Sequence, residues 1–306
     1  MKPSILCSSC IITYNQQEFI QQCLSSLVSQ SDSFSHEIIV GDDSSTDKTL
    51  QVIQSFRDEH CSQVNYFTNS TNQGVASNFL STIQKSSGKY VAIVEGDDYW
   101  IDPNKLQKQI DVLEANDNLS FCFTDVKVEK EGKIVSTHPN LGRARSFEGI
   151  ELADQPGSIA QTCSLVIRRA LLDDIPDWVL RSYTLDWCLQ LFLSKFGPAY
   201  YLPESMAVYR IHDNGIWSKL NEFDAWRKNL CFYRTALGQF SLTDHKKRLR
   251  KRIITTIKDA LELANVTADK KEIRYWLKER LAVSPVDRFR QTIQSLLLLA
   301  KLRKAT

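Results

Sequence analysis

The sequence predicts an α/β fold: a mostly parallel sheet with helices on both faces, followed by a C-terminal helical extension. Three observations lead there. Over the first hundred residues, short apolar runs alternate with segments of helical periodicity. The spacing between those runs is that of βαβ units, which imply a largely parallel sheet covered on both faces. After His212 the chain is expected to be helical to its end, with few breakers before Pro285.

The elements follow in order. Ile5-Leu6-Cys7 through Ile11-Ile12 reads as a buried strand ending at Thr13-Tyr14-Asn15. A helix over 17–30 puts Phe19, Ile20, Cys23, Leu24, Leu27 and Val28 on one face. Glu37–Val40 is a short strand closed by Gly41-Asp42-Asp43-Ser44-Ser45, and Asp47 opens a second helix. Val64–Phe67 is a third strand, 77–85 a third helix and Tyr90–Val94 a fourth strand. Further on come a helix from about 105, a strand over 119–128 and a hairpin at 130–133. Residues 136–160 look like a long loop, of the type that closes over substrates. A strand at 164–167, a helix at 186–195 and two short strands at 200–202 and 206–209 complete this half.

Composition excludes several classes. The 306 residues are 42% hydrophobic and 24% charged, and 14 Phe, 10 Tyr and 6 Trp supply ample core material. A collagen-like, mucin-like or disordered chain is thereby ruled out. The net charge of +2 hides a division. Residues 1–110 carry 7 basic against 12 acidic residues, 111–243 carry 14 against 17, and 244–306 carry 17 against 7. An acidic body thus precedes a basic tail of +10.

Seven of the eight cysteines, at 7, 10, 23, 122, 163, 188 and 231, lie in apolar stretches. They read as small buried hydrophobes in a reducing cytoplasm, and Cys7-x-x-Cys10 has no second CxxC to pair with. The N-terminus runs straight into a strand pattern without a signal-peptide cleavage site, so a cytoplasmic location is expected.

Three polar clusters end predicted strands: Thr13-Tyr14-Asn15, Asp42-Asp43-Ser44 and Glu95-Gly96-Asp97-Asp98. In parallel α/β sheets the carboxyl ends of the strands form the ligand crevice. Adjacent carboxylates repel one another and favour a cation, and Mg²⁺ or Mn²⁺ suits oxygen ligands shared with substrate phosphates.

With these residues the chain resembles the nucleotide-sugar glycosyltransferases of family 2, which have the Rossmann-like GT-A fold. The resemblance rests on IITYN (11–15), EIIVGDDSSTDKT (37–49), NQGVASN (72–78), GKYVAIVEGDDYW (88–100), DPNKLQKQ (102–109), LDW (185–187) and YRIH (209–212), and spans roughly 4–215. It implies a catalytic domain over 1–218, with a nucleotide-binding half (1–104) and an acceptor half (105–218), and a basic helical region over 219–306.

The resemblance also implies roles. Tyr14 packs on the nucleobase, with Thr13 and Asn15 shaping that end of the pocket, and Asp43 accepts a hydrogen bond from the base, as from a uracil imide. Asp98 takes the metal position, with Asp97 beside it at the ribose or the metal shell. Asp186 falls where inverting members keep their catalytic base, although it also suits a helix cap. Arg210 and His212 lie in a segment that reaches the diphosphate or acceptor. Asn78 is expected at the nucleotide; many members place Arg before this Asn of the GxxxRN-like stretch, whereas here Ser77 precedes it, which shifts the expected diphosphate contact towards Arg210 and the metal. Trp187 reads as core or sugar platform, and Trp217 as a sugar-stacking ring or a loop seal.

The activity implied is transfer from a nucleotide sugar, UDP-linked by preference, to a hydroxyl of a glycan or lipid-linked acceptor. Inversion is expected and the setting is surface polysaccharide assembly. A nucleotidyltransferase is the alternative enzyme, but Thr13–Gln17 lacks the Gly and Lys of its phosphate loop. A nucleic-acid binder would leave both carboxylate pairs unexplained, so no nucleic acid is expected. In the tail, Val286, Phe289, Ile293, Leu296, Leu297 and Ala300 follow helical spacing between basic residues. That pattern suits either an anionic membrane on the inner face, met through 286–306, or a packed helical subdomain.

Overall fold

The computed structural model describes residues 5–59, 63–215 and 218–283. The first half alternates as the periodicity predicts: β1 (Cys7–Thr13), α1 (Ile20–Val28), β2 (His36–Asp42), α2 (Thr49–Glu59), β3 (Val64–Thr68), α3 (Val75–Gln84) and β4 (Tyr90–Glu95). β1 is buried along its whole length between β2 and β4, both parallel to it. The apolar stripe of α1 buries Ile20, Cys23, Leu24 and Leu27 in the main core beside Ile11, Val40 and Val94. Each such large side chain contributes about 1.5–3 kcal/mol of burial.

The chain continues through β5 (Tyr99–Trp100), α4 (Lys105–Glu114), β6 (Phe121–Lys130), β7 (Lys133–His138), β8 (Arg145–Phe147) and α5 (Gly149–Ala153). A 3-10 turn at Thr162–Ser164, β9 (Val166–Arg168), α6 (Asp177–Leu180), α7 (Leu185–Leu193) and β10 (Ala199–Ile211) follow. The sheet order is β3-β2-β1-β4-β9-β6-β10-β5, with β7 added on β6 and β8 on β10. The parallel character holds strictly from β3 to β4; β9 then runs antiparallel to both β4 and β6, while β6 and β10 are parallel.

Three readings change. The expected loop at 136–160 contains the end of β7, all of β8 and α5, because Phe147, Ile150 and Leu152 are apolar enough to be buried. The two short strands at 200–202 and 206–209 are one strand, β10. Its pairing with β6 shifts register between Leu202 and Ser205 and again before Ala207. Pro203 sits in that stretch, and a proline inside a sheet is accommodated at such an irregularity. Cys231 is exposed, whereas the other six described cysteines are buried and all seven are free thiols.

By contact the chain divides into two units. The first comprises residues up to Leu152 together with Ser158–Asp213; the second takes Ala153–Gly157 and the residues from Asn214 onward. The second unit contains α8 (Glu222–Gln239), α9 (Thr243–Val266) and α10 (Lys270–Val283). Asn221 caps α8, its Oδ1 accepting from the Asp224 amide at 2.9 Å. Trp276 and Leu277 of α10 and Leu249, Ile253, Ile257 and Leu261 of α9 are buried. Arg248 and Arg252 both pair with Asp154 (2.8 and 3.1 Å). No helix among the described residues is long and apolar enough to cross a membrane. Trp217 and the amphipathic stretch 286–306 lie outside the described residues.

Candidate active site

Strand order reverses at β1: the chain builds β2 and β3 on one side of it, then places β4 on the other. At such a switch point the connections leave in opposite directions and open a crevice at the carboxyl ends of the strands. The three polar clusters meet there. The loops after β1 and β4 approach so closely that a Cβ on Gly96 would stand 2.6 Å from Gln16 Oε1 and 2.8 Å from Thr13 Oγ1, so a larger residue would displace these side chains.

The members of the Asp42-Asp43 pair have different tasks. Asp42 is fully buried and closes its own turn, accepting from the Ser45 amide (3.2 Å), the Ser45 hydroxyl (2.5 Å) and the Thr68 hydroxyl (2.7 Å). Asp43 accepts from the Asn69 amide side chain and the Gln73 and Gly74 backbone amides, each at 2.8 Å, and so shapes the loop before α3. Asn78, expected at the nucleotide, is 2% exposed and donates to Gly41 O at 2.8 Å. It ties α3 to the end of β2 and does not project into the crevice. Thr13 is buried and donates to Gln16 Oε1, and Asn15 accepts from the Thr46 amide at 2.8 Å. Tyr14 alone of this group offers an open surface, being 44% exposed.

The acids after β4 form the electrostatic centre. Asp98 is 1% exposed; its Oδ1 accepts from the Arg210 amide at 2.9 Å, while Oδ2 is buried with no hydrogen-bond partner. Burial, then repulsion from Asp97 and Glu95, raises the Asp98 carboxyl well above the usual range. Glu95, passed over as a site residue in the sequence, also has a buried oxygen (Oε2) without a partner. Burial, then Asp97, pushes its carboxyl up to about 8, with the Thr162 hydrogen bond opposing and Asp186 adding to the rise. Asp186, in the first turn of α7 and 91 residues further along the chain, is thus within electrostatic reach of Glu95. Thr184, not Asp186, is the residue that precedes the helix. The first turn of a helix is a favourable place for a carboxylate.

Arg210 and His212 come from the end of β10. The Arg210 guanidinium donates to Asp97 O (2.7 Å), to Glu129 Oε1 (3.1 Å) and to Gln22 Oε1, and lies between the rings of Tyr99 and Phe19. At 8% exposure it meets its partners within the protein, as a buried cation must. It anchors the Asp97-Asp98 turn to β10. His212 Nε2 stands 2.9 Å from Asp97 Oδ2, its ring against Phe19. Trp187 is 3% exposed and belongs to the core.

No three His, Cys, Asp or Glu side chains among the described residues form a ready metal cage. The donor set nevertheless suits a hard divalent cation. Glu95 Oε2 and Asp98 Oδ2 are buried carboxyl oxygens without partners, and Mg²⁺-type ions bind through one or two carboxylates plus phosphate oxygens.

The profile of the glycosyl transferase family 2 matches residues 8–175, more than half of the chain. The chain belongs to this family. An uncharacterized protein of Mycobacterium tuberculosis is 37% identical over 208 residues, covering 67% of this chain and 59% of its own length. The chain therefore spans less than two thirds of that relative. An Escherichia coli protein named UDP-Glc:alpha-D-GlcNAc-diphosphoundecaprenol beta-1,3-glucosyltransferase is 31% identical over 123 residues, 40% of this chain and 46% of its own. Among solved structures, S. aureus TarS (1–349) in complex with UDP superposes with a TM-score of 0.64 at 16% identity, covering 92% of this chain and 81% of its own. That likeness shows the fold, the GT-A arrangement of this family.

Proposed function

We propose that the chain transfers a sugar from a nucleotide sugar, UDP-linked by preference, to a hydroxyl of a glycan or lipid-linked acceptor in surface polysaccharide assembly. The observation that carries the reading is the meeting of Glu95, Asp97, Asp98 and Asp186 at the switch point, with two buried oxygens left without partners. The E. coli relative's name supports a UDP donor and a lipid diphosphate acceptor, and UDP sits in the TarS structure.

In this reading Tyr14 offers its ring to the base, and Asp43 holds the loop beneath it while a free lone pair on Oδ2 accepts from the uracil imide. Asp98 and Glu95 hold a Mn²⁺ or Mg²⁺ ion, with Asp97 and His212 at its margin. Bound there, the cation offsets the charge that develops on the leaving diphosphate. Asp186 accepts the proton of the acceptor hydroxyl as the new bond forms, a role for which a carboxylate in a like-charged cluster is suited. A single displacement inverts the anomeric centre. The +10 balance of 244–306 supports contact with an anionic membrane, where a lipid-linked acceptor is met.

A screen of UDP- and GDP-sugars with Mn²⁺, assayed for nucleotide release with candidate acceptors, tests the reading. Release with a UDP-sugar that EDTA abolishes is expected; release insensitive to EDTA removes the metal from it.

Stability gives an independent check. Glu95 titrates near 4.5 when unfolded and about 8 when folded, so its contribution is fully present below pH 4.5 and is lost as pH rises through about 8. Without divalent cation, unfolding free energy should fall by roughly 2–4 kcal/mol between pH 5 and pH 8. Millimolar Mn²⁺ should flatten that slope, because the ion binds the ionised pair in the folded state alone. An equal slope with and without Mn²⁺ in urea titrations would count against the cation.

A further inference from the structure

Beneath the carboxylates lies a buried cation that the proposed chemistry does not use. Lys105, the first residue of α4, is fully buried, yet among the described residues it makes no ion pair. Its Nζ donates to Gln109 Oε1 at 2.7 Å and stands 4.3 Å above the centre of the Trp100 ring. A buried ammonium with one neutral acceptor and one aromatic face is a costly arrangement, and burial lowers its pKa to about 8.

What the two neighbours do next gives this arrangement a purpose. Gln109, its oxygen occupied by Lys105, is oriented so that Nε2 donates to Ser164 O (2.9 Å) and to Cys122 O (3.1 Å). Trp100, beneath the same ammonium, donates from its indole to Cys163 O at 3.0 Å. Two consecutive carbonyls of the 3-10 turn Thr162–Ser164 are thus gripped by the two partners of one lysine. The same turn packs against β4, which ends at Glu95, and its Thr162 and Cys163 act on the Glu95 and Asp98 carboxyls, each lowering the pKa that burial raises.

We propose that Lys105 is a positioning residue for the carboxylate site: by fixing Gln109 and Trp100 it locks the Thr162–Ser164 turn, and through that turn the rotamers of Glu95 and Asp98. The direction of the amide group matters here. Without the ammonium, Gln109 Oε1 is left buried without a donor, and the amide that holds Ser164 O and Cys122 O loses the contact that fixes it from the other side. The inference rests on the transferase reading only for its catalytic consequence; the tether can be tested without it.

The test compares Lys105→Met, which keeps an apolar chain over Trp100, with Trp100→Phe, which keeps the ring but removes the N–H to Cys163 O. Amide hydrogen exchange is read along the chain beside kcat and donor KM. In Lys105→Met we expect exchange in 162–166 to accelerate about tenfold or more while β1–β4 stay protected. We expect kcat to fall about tenfold, with donor KM changed less than about threefold, since loosened carboxylates lose alignment before they lose binding. Trp100→Phe should shift both readouts in the same direction by a smaller factor, and the double variant should be no worse than Lys105→Met alone, as for residues acting as one unit. If Lys105→Met does not fold, Trp100→Phe alone decides.

Exchange that rises evenly over the whole sheet, or 162–166 left protected, overturns the tether. A wild-type chain that transfers no sugar, combined with exchange loosened only at 162–166, sinks the transferase reading and leaves the tether standing.

Discussion

Asp98→Asn should lower sugar transfer by about a thousandfold or more, the scale on which removing a principal electrostatic stabiliser acts, and should at the same time raise the melting temperature of the cation-free protein. Both effects have one cause. Asp98 Oδ2 is buried without a partner, and burial together with Asp97 and Glu95 holds the carboxyl far above its ordinary pKa. The unfolded chain ionises this group near pH 3.8, so wild-type stability from it is present below that pH and is lost as pH rises through the folded value. Asparagine carries no such linkage, and its Oδ1 can still accept from the Arg210 amide. The gain should therefore be absent at pH 4 and reach about 3 °C or more by pH 8, measured by calorimetry in EDTA. A variant that is both fully active and no more stable would show that Asp98 is neither a ligand nor strained. Activity lost together with stability would point to a structural role only. Function installed at the expense of stability is the usual reason for an unpaired charge in a core.

Asp186→Asn should separate binding from chemistry. Asparagine keeps the size of the side chain in the first turn of α7, and the buried Trp187, Cys188 and Leu189 behind it keep the helix in place. The amide cannot accept a proton from the acceptor hydroxyl, so kcat should fall by about 10²- to 10⁴-fold. Donor affinity, measured by calorimetric titration with Mn²⁺, should change by less than about threefold. Removing one negative charge from beside Glu95 should also lower the Glu95 pKa, because Asp186 is among the groups that raise it. The stability slope between pH 5 and pH 8 should become shallower in the variant. Unaltered turnover with an unaltered slope would remove Asp186 from the site altogether.

Much of the frame was legible in the residues. β1 to β4 and their helices are built from contiguous stretches whose period reports burial directly, and the acidic strand ends marked the crevice. Legibility failed where a side chain's role depends on a partner far along the chain. Glu95 reads as the last residue of a strand, and its adjacency to Asp97 and Asp98 was the available signal. That its Oε2 is buried follows from packing against a turn some seventy residues later. The family resemblance placed Asn78 at the nucleotide and Arg210 at the diphosphate or acceptor. Asn78 instead answers Gly41, and Arg210 answers Gln22, 188 residues away. The two halves of β10 looked separate because Pro203-Glu204-Ser205 breaks the apolar pattern, although backbone pairing with β6 carries across the gap.

The residues alone established the alternation of strand and helix, the parallel half of the sheet and the division of charge between body and tail, and they marked the acidic strand ends. These follow from periodicity and from side-chain type, which are local properties. Which of Asp42 and Asp43 closes a turn, which way Arg210 faces, and that a fully buried Lys105 stands under the site emerged from the assembled fold. A buried charge or amide is stable only with its hydrogen bonds made, and the groups that make them are chosen by three-dimensional proximity, which no local pattern encodes.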